Sequence, residues 1–293
     1  MSLLAHRYNV FSQFGEDGII EEIFREIGET TRWCCEFGAW DGVHLSNSRR
    51  LVDAGWNAVL IEGDPDKFVE LHQDNASNPR VTTVQAMVDS ERNRLESILA
   101  DAGAPELDLL VIDIDGLDYE IFESLQVRPR VICVEVPSEH DPESRKPVPR
   151  EVAANGVGQP LGLFYDTALE RGYRLVSYYV NAFFVREDAA GALPSLTPVE
   201  AYEEFLAVFP ETSRRWLNYC NDGRVHGYAF NNPRLTHEAL GLPRRRVDLR
   251  MRALAVAWWL SRRESPRLQR VLAWITARRR LYGFLARHLG LPA

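Results

Sequence analysis

The chain is expected to form an α/β fold: a mostly parallel sheet of seven strands, closed by an antiparallel C-terminal hairpin and followed by a helical appendage. Two observations predict it. Between residues 32 and 136, short and almost wholly apolar runs alternate with segments of helical periodicity. Such alternation implies parallel strands covered by helices on both faces. Residues 173–180 and 182–185 then form two strand-like runs joined so tightly that only an antiparallel hairpin can connect them. At 293 residues the chain can bury a full core, and 45% hydrophobic with 26% charged residues is ordinary for a globular protein in water.

The elements follow in order. Ser12 is placed to cap a helix whose apolar positions Ile19, Ile20, Ile23, Phe24 and Ile27 share one face. Arg32–Phe37 reads as the first strand, and Leu45–Ala54 as a helix closed by Gly55. Ala58–Glu62 and Val81–Ala86 are expected strands with a helix over Asp66–Asn75 between them. Leu95, Ile98 and Leu99 mark a helix, Leu107–Ile114 the fourth strand, Tyr119–Leu125 another helix and Arg130–Val136 the fifth strand. Pro137–Gln159 is polar and carries four prolines, so it reads as a structureless functional loop that covers a pocket and orders on ligand binding. A helix at about Leu161–Arg171 precedes the hairpin, and Thr197–Phe209 and Glu211–Tyr219 look helical. Two domains are therefore expected: a ligand-binding α/β domain over residues 1–190 and a helical region with a basic tail over 191–293.

The net charge of −8 conceals an asymmetry. Residues 244–293 carry 13 Arg against Asp248 and Glu264, a balance of +11, and the remainder carries −19. An acidic body repels phosphates, so no nucleic-acid partner is expected. Leu268, Val271, Leu272, Ile275, Tyr282, Leu285 and Leu289 share one helical face, and Trp258 and Trp259 precede them. Such basic amphipathic helices suit an anionic membrane surface; packing on the core or on a second subunit in a homo-oligomer is the other reading. No run approaches the roughly 20 apolar residues of a membrane span, and the N-terminus lacks a signal-peptide pattern. Cys34, Cys35, Cys133 and Cys220 lack CxxC spacing and read as reduced, buried thiols. The expectation is a cytoplasmic protein, which the membrane reading of the tail would place in peripheral contact with the inner face of the membrane.

In an open parallel sheet, ligands bind beyond the carboxyl ends of the strands. Glu36-x-Gly38-x-x-x-Gly42 lies there, after the first strand, and glycines let the backbone approach a ligand closely. Ala39 and Trp40 break the dinucleotide pattern, which disfavours pyrophosphate. Twenty positions after Gly42, Glu62 ends the second strand, placed to accept both hydroxyls of a ribose. Five parallel units closed by a hairpin is the Rossmann-like topology of class I methyltransferases. S-adenosylmethionine (SAM) carries a sulfonium, an ammonium and a carboxylate, so it needs no phosphate cradle, and an acid such as Glu36 beside the loop suits it.

Four motifs sharpen this: Phe11-Ser12-Gln13-Phe14-Gly15-Glu16-Asp17, Glu36-Phe37-Gly38, Ile112-Asp113-Ile114-Asp115-Gly116-Leu117-Asp118-Tyr119 and Asn181-Ala182-Phe183-Phe184-Val185-Arg186. Over about residues 9–187 the chain resembles the FkbM-type methyltransferases, in particular a bacterial branch with an IDIDGxDY signature. The resemblance implies a SAM-dependent O-methyltransferase acting on a sugar, polyketide or surface glycan, of the kind encoded with polysaccharide biosynthesis genes. It also implies that Gln13, Gly38, Glu62 and Asp113 stand on the cofactor side. Glu62-Gly63-Asp64-Pro65 replaces the family's usual turn and keeps its acid, and residues 188–293 carry no resemblance.

Methyl transfer to a hydroxyl requires near-attack geometry and removal of a proton. Asp113, Asp115 and Asp118 follow the fourth strand and Glu135 ends the fifth. Asp113, Asp115 and Glu135 can bind Mg²⁺, which would acidify the acceptor hydroxyl; alternatively Asp115, Glu135 or His140 serves as a base without metal. Simpler readings stand beside these: Asp118 as a helix-start acid, Asp115 as a turn residue, His140 as a solvated surface histidine, Glu36 as a partner of backbone amides, and Gln13 and Glu16 as helix-start residues. From another class, Asp113-Ile114-Asp115 is a DxD, as in glycosyltransferases that use a nucleotide sugar and a metal. A non-catalytic scaffold is the third alternative.

Overall fold

The computed structural model describes residues 2–89, 94–138 and 140–208. Cys220, Glu211–Tyr219 and the basic tail lie outside the described residues.

Seven strands form one sheet: β1 (Trp33–Phe37), β2 (Asn57–Glu62), β3 (Val81–Gln85), β4 (Leu109–Ile112), β5 (Val131–Glu135), β6 (Tyr173–Tyr179) and β7 (Asn181–Arg186). Their order is β3-β2-β1-β4-β5-β7-β6. The first five run parallel, and β7 is antiparallel to both neighbours. This is a Rossmann-like sheet, mostly parallel as expected, and its order reverses between β1 and β4, where such sheets open a crevice. The inner strands are buried on both faces, as their continuous apolar sequences require.

The helices are α1 (Glu16–Ile27), α2 (Arg49–Asp53), α3 (Pro65–Asn75), α4 (Leu95–Asp101), α5 (Asp118–Ser124), α6 (Arg150–Val152), α7 (Leu161–Glu170) and α8 (Pro198–Val208). Three differ from expectation. Gly15, at φ +104°, precedes α1 in place of Ser12, whose Oγ instead accepts from the Asp17 amide at 3.0 Å. The expected helix over 45–54 shrinks to α2, because Glu36 draws residues 46–48 into a turn. The segment over 137–159 is not structureless. It contains α6 and a wide helical turn over Ala153–Val157, and the Gln159 side chain bonds both the amide and the carbonyl of Val148 at 2.7 Å.

Two contacts fix the ends of the sheet. At the amino ends of the strands, buried Asp108 accepts from the amides of Thr30, Thr31 and Arg32 at 2.8–2.9 Å and from Arg130 Nη1 at 2.8 Å. Arg130 also donates to the carbonyls of Ile27 and Gly28, so one ion pair joins the end of α1 to β1, β4 and β5. At the hairpin side, α8 lies on β6: Tyr202 stacks on Tyr178 and its hydroxyl donates to the Ser138 carbonyl at 2.6 Å. Cys34, Cys35 and Cys133 are free and buried, as expected, and burial raises their pKa values. No described helix is long and apolar enough to cross a membrane.

Candidate active site at the strand ends

Register alone assembles a row of side chains. Phe37 pairs with Ile61 and Ile112, and Ile112 with Val134. The next residues therefore align as Glu62, Gly38, Asp113 and Glu135, and Glu135 pairs with Asn181 of β7. The row crosses the point where the strand order reverses.

Gly38 makes the crossing possible. Its φ is +74°, and a Cβ there would lie 1.7 Å from the Asp113 carbonyl oxygen. Gly42 has a different task, since a Cβ on it would press on Leu71 and Asn75 of α3. Glu62 ties the two loops together, accepting from the Trp40 amide at 2.8 Å through one oxygen and from the Asp64 amide at 2.7 Å through the other. Each oxygen keeps a second lone pair for a ligand hydroxyl.

Glu36 is buried and serves its own chain. It accepts from Ser46 Oγ and Ser48 Oγ at 2.6 Å each and from the Asn47 amide at 2.8 Å. It supports the glycine loop from beneath, through the turn before α2. Gln13 is exposed, and its carbonyl accepts from Asn9 Nδ2 at 2.9 Å.

The loop after β4 is shaped by Asp118, which accepts from the amides of Ile114 and Gly116 at 2.8 Å each. That leaves Asp115 exposed in the left-handed region at φ +55°. Side-chain oxygens of Asp113, Asp115 and Glu135 lie within 4.8 Å of one another. The segment over 150–157 rests directly on this loop, since a Cβ on Gly116 would meet the Ala153 carbonyl at 2.1 Å. His140 is buried rather than solvated, because its Nε2 bonds the Val157 carbonyl at 2.9 Å and draws the ring beneath that segment. A carbonyl only accepts, so Nε2 carries the hydrogen, and burial lowers the ring's pKa, which keeps it neutral.

Sequence reasoning undervalued Glu16 and did not single out Asn181. Glu16 was read as a helix-start residue, yet it points inward, accepting from Asn181 Nδ2 at 2.8 Å and from the Phe14 amide at 2.7 Å. The signal was present: Glu16 falls on the apolar stripe of α1, four and seven residues before Ile20 and Ile23.

Carboxylates thus accumulate without cations. Among the described residues no Lys or Arg pairs with Glu16, Glu36, Asp113 or Asp118. Burial raises the pKa of Asp113, and the neighbouring Asp118, Asp115, Glu36 and Glu16 raise it further. Burial likewise raises Glu16 and Glu36, and lifts Asp118 to about 6. A raised acid favours its protonated form in the fold, so its contribution is present below the unfolded value and is lost as pH rises through the folded one. At neutral pH this nest opposes folding. Asp113→Asn is expected to raise the melting temperature at pH 7.5, by roughly 2–4 °C per kcal/mol relieved. The gain should shrink as the pH is lowered. A variant that melts at or below the wild type at pH 7.5 would contradict this electrostatic account.

A cavity of about 870 Å³ lies elsewhere, on the flank between α1 and α2, lined by Phe11, Ile20, Phe24, Leu51 and Trp56. Size alone does not make it the active site, because it contains none of the residues of the strand-end row.

No protein-family model matches the chain, and no curated protein matches it in sequence. Solved structures match at low identity. A Staphylococcus aureus protein assigned as a caffeoyl-CoA O-methyltransferase gives a TM-score of 0.42 at 12% identity, over 62% of this chain and 86% of that one. The N-terminal domain of EvdMO1 with bound SAH gives 0.38 at 10% identity, over 58% and 78%. Monomeric WbdD gives 0.36 at 15% identity, over 63% of this chain and 48% of that one.

Proposed function

We propose that this chain is a SAM-dependent O-methyltransferase of the FkbM type, acting on a hydroxyl of a sugar, glycan or related natural product. The observation that carries the reading is the strand-end row of Glu62, Gly38, Asp113 and Glu135 at the reversal of strand order. A ligand with two cationic centres and a ribose fits it. Glu62 accepts the ribose hydroxyls, Gly38 lets the backbone approach, and the buried carboxylates of the nest favour positive charge.

When bound, SAM supplies a methyl group on a sulfonium. As the acceptor oxygen bonds to that carbon and the carbon–sulfur bond breaks, the hydroxyl must lose its proton. Asp115 and Glu135 are the candidate carboxylates to take it, with neutral His140 as the further candidate. Asp113, Asp115 and Glu135 offer only carboxylate oxygens within 4.8 Å, a donor set that suits a hard divalent cation such as Mg²⁺. An ion held there would lower the pKa of the acceptor hydroxyl and orient it.

Calorimetric titration with SAM tests the reading. The wild type should bind, and Glu62→Ala should weaken binding about 100-fold, since hydrogen bonds to a charged group contribute roughly 1.5–3 kcal/mol each. Equal affinities in the two proteins would show that the ribose does not sit at the end of β2.

A further inference from the structure

The carboxamide of Asn181 is 4% exposed, and its Oδ1 has no hydrogen-bond partner. Its orientation is not arbitrary. A carboxylate only accepts, so the bond to Glu16 Oε1 at 2.8 Å must come from Nδ2, and Oδ1 is turned away from Glu16. It is left in the row beside Glu135, its register partner, with Asp113 one strand further on. An orphaned buried acceptor is costly, and its register partner Glu135 is itself an acceptor.

We infer that Asn181 Oδ1 is the fourth protein ligand of a divalent-cation site formed with Asp113, Asp115 and Glu135, and that Glu16 is its positioning residue. Two independent observations meet here: three carboxylates with oxygens within 4.8 Å of one another, and an unpartnered buried amide oxygen in the same row. The chemistry is consistent. Mg²⁺ and Mn²⁺ take hard oxygen ligands in octahedral arrangement. Three carboxylates already overcompensate a charge of two, so a neutral amide oxygen adds a ligand without adding charge. Four protein oxygens leave two positions for water or for the hydroxyls of an acceptor. The Glu16–Asn181 bond is the outer contact that fixes which amide atom faces the ion, a task that conserves affinity by tenfold or more at other metal sites.

The site rests on and deepens the proposed reaction, but the ion binds without SAM, so failure of SAM binding and failure of the metal site are separate results. The experiment is titration of the chelator-treated 293-residue chain with Mn²⁺, followed by electron paramagnetic resonance. One ion per chain should bind to the wild type, and Asn181→Ala should bind it at least tenfold more weakly. Glu16→Gln should also weaken binding several-fold, because the new amide can donate to Asn181 Oδ1 and turn Nδ2 toward the ion. The double variant Glu16→Gln/Asn181→Asp restores a donor–acceptor pair and an oxygen facing the site, so it should recover Mn²⁺ affinity relative to Glu16→Gln alone. Absence of stoichiometric Mn²⁺ binding by the wild type overturns the inference. So does an Asn181→Ala variant that binds as tightly as wild type. If Asn181→Ala does not fold, failure of the double variant to recover affinity overturns it as well.

Discussion

Asp108→Ala should lower stability by about 3–5 kcal/mol, the usual cost of removing one partner from a buried ion pair. The melting temperature should fall by roughly 10 °C for a body of about two hundred residues. The effect is large because several groups lose their partner together: the Arg130 guanidinium and the amides of Thr30, Thr31 and Arg32. The pair also carries a pH signature. Burial pushes the Asp108 carboxyl up, but Arg130 and the three amides outweigh it and hold it below the ordinary aspartate range. A depressed acid contributes stability above its unfolded pKa that is lost as pH falls through the folded one. Acid unfolding of the wild type should therefore include a step below about pH 4 that the variant lacks. Thermal melts from pH 3 to pH 8 check both points, and an unchanged melting temperature at pH 7 would remove Asp108 from its assigned role.

Gly38→Val should abolish SAM binding while leaving the rest of the sheet able to form. The new side chain meets the Asp113 carbonyl oxygen, which a Cβ alone would approach to 1.7 Å, at a φ of +74° that a β-branched residue does not tolerate. Either the loop after β1 or the loop after β4 must move, and both carry the site. The backbone conformation alone costs about 1–3 kcal/mol. A circular dichroism spectrum close to wild type, with no heat of SAM binding, is the expected pair of results. Wild-type SAM affinity in this variant would mean that the cofactor does not rest on the β1–β4 crossing.

The sheet was legible in the sequence because its inner strands are apolar on both faces. The closing antiparallel pair was legible because the tight 180–182 link admits only a hairpin. Helix α2 was misjudged over half its length, since nothing local shows that Glu36, ten residues earlier, will claim Ser46 and the Asn47 amide. His140 looked solvated for the same reason: its polar neighbours gave no sign of Val157, which lies seventeen residues on. The grouping of Asp113, Asp115 and Glu135, whose oxygens lie within 4.8 Å of one another, was expected because a carboxylate ending an apolar run is conspicuous. The Asn181 amide was not, because an asparagine after a strand reads as a turn, and only register shows which residue stands across from it.

The bond between Glu16 and Asn181 joins positions 165 residues apart, from the first helix of the body to the hairpin strand next to β5. The proposed site is thus completed only by one of the last described strands to be made. A nascent chain that has finished β1 to β5 already holds Glu62, Gly38, Asp113 and Glu135 in sequence, yet the wall contributed by β7 does not exist. Long-range pairings of this kind form late, after the loops they close have already given up their entropy. Ligand competence should therefore arrive in a single step with the docking of the hairpin. A chain truncated after residue 170 should retain helices α1 to α7 and bind neither SAM nor a divalent ion.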